Sequence, residues 1–153
     1  MYEGGLKVPT CMSWPNKVTP GSNSNANLLS MDIYLTLLEI AGQKADDHIV
    51  GKSFLPILLE KEAAVDEDRP LYFTRREGGI RYGGQPIYAL RLGDWKLLQN
   101  SPYEPYELYN LKKDPLEKEN LIESESEKYK ELNSLLMQHI QQGGAVPWQK
   151  PKK

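Results

Sequence analysis

A single cysteine rules out an internal disulfide, so Cys11 enters as a lone thiol. It sits in the apolar-leaning run Val8-Pro9-Thr10-Cys11-Met12-Ser13-Trp14, with no neighbour placed to depress its pKa, and reads as a small buried hydrophobe. No apolar run approaches the roughly 20 residues that span a bilayer, so no membrane helix is expected. The opening Met1-Tyr2-Glu3-Gly4-Gly5 has neither a basic nor an apolar signal region, so any export address is expected upstream. Charge of one sign is lacking too: 19 basic against 21 acidic residues leave a net −2, and nothing favours nucleic acid as a partner. With only two histidines, Asp46-Asp47-His48 lacks the remaining ligands of a metal site and reads as a polar loop.

What is present is ordinary for a soluble globular chain, at 39% hydrophobic and 26% charged residues, and 153 residues suffice for one domain plus part of a neighbour. Val8 to Trp14, stopped by Pro15-Asn16, reads as a buried strand. A helix follows, with Ser30 as N-cap, Asp32 in its first turn, an apolar stripe of Ile33, Leu37, Ile40 and Ala41, and Gly42 as its stop. Ser53 to Leu59 forms a short element whose Pro56 suits a first helical turn. The charged stretch 60–69 marks a boundary and reads as a solvated acidic linker.

Beyond it an antiparallel sheet of about four strands is expected. Leu71–Thr74, Ile87–Leu92, Trp95–Leu98 and Tyr106–Tyr109 are the candidates, and Gly93-Asp94 joins the middle pair as a hairpin. Asp114-Pro115 turns the chain. The last helix opens on a capping box of Ser124 and Glu127 and carries Tyr129, Leu132, Leu136 and Ile140 on one face, with Leu135 and His139 alongside. His139 reads as a boundary residue, and Trp95 and Tyr109 as filling between sheet and helix. The fold class is therefore α+β, a small antiparallel sheet packed by a long C-terminal helix.

Five collinear blocks carry a family resemblance. Tyr2-Glu3-Gly4-Gly5-Leu6-Lys7-Val8-Pro9 with Trp14-Pro15, Asp32 to Gly42, Gly51 to Leu58, Ala89 to Leu97, and Glu107 to Leu121 together resemble landmarks of the sulfatases. Within the last block, Asp114-Pro115-Leu116-Glu117 resembles the family's Asp-Pro-x-Glu. Departures are small: Lys7 stands where arginine is usual and Asn16 where glycine is usual. The resemblance implies that residues 1–59 are the C-terminal edge of an α/β catalytic core, a strand and a helix, and that 60–69 link it to a C-terminal subdomain at 70–153.

It implies an absence as well. Sulfatases use a formylglycine made from the cysteine of Cys-x-Pro-x-Arg, and a divalent cation, usually calcium, on Asp and Asn side chains. Cys11 is followed by Met12-Ser13, so no catalytic residue and no metal ligand is expected in this chain, which is expected to be inactive alone. The parent is expected to be periplasmic or secreted, its partners being the upstream catalytic core and a sulfated anionic substrate. The exposed core edge is expected to favour self-association. Arg75, Arg76 and Arg81, among glycines, are expected to bind the non-reacting part of that substrate, since guanidinium pairs bidentately with oxyanions. Pairing of these arginines with Glu77 or the acidic linker is the competing possibility. A phosphonate or phosphate ester hydrolase of the same superfamily, and a non-catalytic binding module, are the alternative readings of the whole.

Overall fold

The computed structural model describes residues 1–46, 48–59, 69–76 and 83–143. They fall into two compact units, one of Met1–Val8 with Pro70–Lys153, the other Pro9–Arg69. The acidic stretch 60–68 lies outside the described residues. The first eight residues group with the sheet unit, whose Arg91 and Lys96 hold Glu3.

The sheet unit is a four-stranded antiparallel meander in the order β1 (Leu71–Arg76), β2 (Pro86–Leu92), β3 (Trp95–Leu98), β4 (Glu107–Asn110). Leu92 pairs with Trp95 across a two-residue turn, and Gly93 takes φ 55°, the left-handed backbone such tight hairpins require. Alternation along the strands makes two apolar faces. One joins Leu90, Leu97 and Leu108 to Leu132 and Leu136 of α4 (Ser126–Gly143), all fully buried. Burial of each leucine contributes about 1.5–3 kcal/mol, so this layer drives the docking of the helix. Trp95 packs on this face as expected, and His139 stacks flat on Tyr72, ring centroids 3.7 Å apart.

Tyr109 does not fill the space between sheet and helix. Neighbouring strand residues point to opposite sides, and Tyr109 follows Leu108, so it lies on the other face with Ala89 and Leu98. Met1 and Phe73 pack there, beside α1 (Glu3–Leu6). The capping box is not formed either: Ser124 Oγ donates to Leu121 O at 3.2 Å, and Tyr129 N bonds Glu125 O, so the helix opens after Glu125.

The expected strand Val8 to Trp14, which lies in the second unit from Pro9 on, is coil and largely exposed, Cys11 included. A lone extended segment needs a neighbour for its N–H and C=O groups, and none of the described residues pairs with it. The helix α2 (Ser30–Ile40) forms as its pattern predicts and ends in a Schellman motif, with Gly42 at φ 65°, Gly42 N bonding Glu39 O and Gln43 N bonding Leu38 O. Its N-cap is Leu29 rather than Ser30, and Asp32 Oδ2 accepts the Leu29 N–H at 2.8 Å. Pro56 sits in the first turn of α3 (Leu55–Leu58).

Candidate functional site

The three sequence-predicted arginines are not shown converging. Arg75 pairs with Ile87 and Arg76 with Pro86 at the end of β1, so adjacent guanidiniums leave opposite faces of the sheet. Arg76 Nε donates to Gly84 O at 3.0 Å, and neither arginine lacks a partner. Arg81 and its possible partner Glu77 lie outside the described residues.

Charge chemistry is concentrated instead at two buried anchors that sequence reasoning missed. In the first, Lys96 is fully buried, its Nζ 3.0 Å from Glu3 Oε1 and 2.8 Å from Glu117 Oε1. The Glu117 contact is an ion pair whose angle falls short of a hydrogen bond. Arg91 Nη1 reaches Glu3 Oε2 at 3.0 Å, and Glu3 N donates to Glu117 Oε2 at 2.6 Å. Glu117 adopts φ 53°, an uncommon conformation for a residue with a β-carbon, so the turn after Asp114-Pro115 is bent to deliver this carboxylate. Three separate landmarks, Glu3-Gly4-Gly5, Arg91 to Lys96 and Asp114 to Glu117, thus meet in one desolvated network.

The second anchor belongs to the other unit. Asp32 is fully buried and holds Arg69 bidentately, both contacts at 2.9 Å, while also accepting Lys52 N at 2.8 Å. Burial alone pushes its carboxyl up, but the hydrogen bonds from Arg69, Lys52 N and Leu29 N outweigh that and hold it below the ordinary carboxylate value. Thr36 Oγ1 donates to Asp32 O and accepts Phe54 N, so the polar side of α2 faces inward. Gly51 fits closely here, since a β-carbon would lie 2.9 Å from Met31 O and 3.0 Å from Leu35 Cδ1. Gly51→Ala is therefore expected to cost about 1–3 kcal/mol, read as a lowered midpoint in urea unfolding.

The expected apolar stripe of α2 is present but uncovered. Ile33, Leu37 and Ile40 are 44%, 58% and 39% exposed, because the buried side of the helix is the one that carries Asp32 and Thr36. The stripe borders an open groove of about 410 Å³, with Met12, Trp14 and Phe54 among its other walls.

Cys11 is exposed and carries no Cys-x-Pro context, and among the described residues no three His, Cys, Asp or Glu side chains are placed to hold a metal. Asp46 Oδ1 accepts the His48 N–H at 3.0 Å in a local turn.

Comparison with known proteins bears on the whole chain. The family model for the C-terminal part of N-sulphoglucosamine sulphohydrolase matches residues 1–145. An ulvan-active sulfatase of Formosa agariphila is 30% identical over 89% of this chain and 32% of its own length. An N-acetylglucosamine-6-O-sulfatase of Bacteroides thetaiotaomicron is 29% identical over 89% of this chain and 25% of its own. A solved structure in complex with its substrate D-glucosamine-2-N,6-O-disulfate superposes with a TM-score of 0.70 at 26% identity, over 88% of this chain and 28% of that one. The chain spans about a sixth to a third of the length of the curated relatives it matches.

Proposed function

Because this chain belongs to the sulfatase family, through the C-terminal part of N-sulphoglucosamine sulphohydrolase, we propose that it serves as the C-terminal portion of a sulfuric ester hydrolase acting on a carbohydrate or aryl sulfate. On this reading the formylglycine and calcium belong to a catalytic portion outside these residues, and the chain alone is inactive. The observation that carries it is the uncovered stripe of α2. Exposed aliphatic side chains bordering an apolar groove are unfavourable in water, and burying them against a further layer contributes about 25 cal/mol per Å². A catalytic portion is the layer that fits, and without it the same stripe draws copies of the chain together. The family resemblance supports an exported parent, periplasmic or secreted.

The test is hydrolysis of an aryl sulfate and an aryl phosphate, with calcium and with a chelator. The purified 153-residue chain is expected to turn over neither, and joined to its catalytic portion it is expected to release sulfate. Calcium-dependent turnover by the chain alone would overturn the reading. Preference of the joined enzyme for the phosphate would move it to the phosphonate and phosphate ester hydrolases.

A further inference from the structure

At the end of the sheet where β1 finishes and β2 begins, an aromatic ring is held out from the surface. Tyr103 is 67% exposed, far more than any tyrosine of the core. Its loop is nonetheless tied down: Tyr103 N donates to Ser101 Oγ at 3.3 Å, Glu104 N to Ser101 O at 3.2 Å, and Gln99 Nε2 to Glu104 O at 3.0 Å. The ring's tip meets the Gly83-Gly84 turn, where a β-carbon on Gly83 would lie 3.0 Å from Tyr103 Oη. The same dipeptide meets Arg76, whose Nε donates to Gly84 O at 3.0 Å. Both glycines have positive φ, 56° and 74°, which lets the turn approach both side chains closely.

A rigid exposed ring offers an apolar face to the C–H face of a sugar at little entropic cost. A guanidinium held at the same turn adds planar, bidentate recognition of an oxyanion. We propose that Tyr103 and Arg76, spaced by Gly83-Gly84, form a subsite for a sulfated sugar unit, the ring stacking on the pyranose and the guanidinium meeting its sulfate. The subsite rests on the sulfatase reading and deepens it. Tyr103 joins Arg76 as a specificity-determining group, and Arg75, on the opposite face of the sheet, has no part in this subsite.

The test is an amide NMR titration of the ¹⁵N-labelled 153-residue chain with glucosamine-6-sulfate, with unsulfated glucosamine and with inorganic sulfate. Glucosamine-6-sulfate is expected to shift the amides of Gly83, Gly84, Ser101 and Tyr103, and to bind more tightly than either other probe. Tyr103→Ala is expected to weaken it roughly three- to tenfold, while Tyr103→Phe keeps it. Arg76→Gln is expected to bring the sulfated sugar down to the affinity of the unsulfated one. Shifts confined to other residues, an unchanged Kd in Tyr103→Ala, or inorganic sulfate binding as tightly as the sulfated sugar would each overturn the subsite. All three results leave ester hydrolysis by the joined enzyme untouched, so they do not count against the sulfatase reading. Loss of that hydrolysis is what would.

Discussion

Lys96→Met is expected to lower the unfolding free energy of the sheet unit by roughly 3–5 kcal/mol, the scale for removing one partner of a buried ion pair. Methionine matches the stem in volume, so the loss isolates the charge rather than a cavity. Without the ammonium, Glu3 and Glu117 face each other in a site where Lys96 is fully buried and the Glu117 side chain only 3% exposed. Urea unfolding of Trp14→Phe, Trp148→Phe chains, followed by the fluorescence of the remaining Trp95, measures the effect. Adding Glu117→Gln to Lys96→Met is expected to recover part of the loss, a coupling of about 0.5–3 kcal/mol. A loss under about 1 kcal/mol, typical of exposed pairs, would mean that the network is solvated.

Asp32→Asn is expected to be comparably damaging to the other unit, about 3–5 kcal/mol, because the amide no longer neutralises a guanidinium that is only 12% exposed. Hydrogen exchange at the Thr36 and Phe54 amides reads this locally. The unmutated chain should show the same loss under acid. The Asp32 carboxyl is held below its ordinary value of 3.8 when folded, so the unfolded chain binds the proton first. Its stabilising contribution is therefore complete above that ordinary value and disappears as pH falls through the lower folded one. In Asp32→Asn this acid-dependent part should be missing. Exchange that is equally fast in both proteins at neutral pH would show that the Arg69 pair does not hold the unit.

Local order was legible in the residues themselves. Alternation and the Gly93-Asp94 pair located the hairpin, because a pleated strand repeats every two residues and a two-residue turn needs a positive φ. The 3.6-residue period placed α2 and α4, and Gly42 ended the first where a left-handed backbone is required. The collinear landmarks, from Glu3-Gly4-Gly5 to Asn120-Leu121, resemble the sulfatases in sequence alone.

The remainder depended on groups far apart in the chain. Amphipathic spacing marks the apolar stripe of Ile33 and Leu37 but not what covers it, and in the structure Asp32 and Thr36 of the same helix are the residues turned inward. Arg69, lying 37 residues on, decides that orientation, since a buried carboxylate is tolerable only with its cation in place. Likewise Glu3, Lys96 and Glu117 look like ordinary surface charges in sequence. Chain folding across 93 and 114 residues brings them together, and desolvation then turns a weak attraction into an anchor. The sequence by itself determined the elements and the family, because short-range sterics and periodicity act along the chain. Which faces are buried, which charges are paired and where Tyr103 stands were decided only by the tertiary structure, because burial and Coulomb energy depend on distance through space.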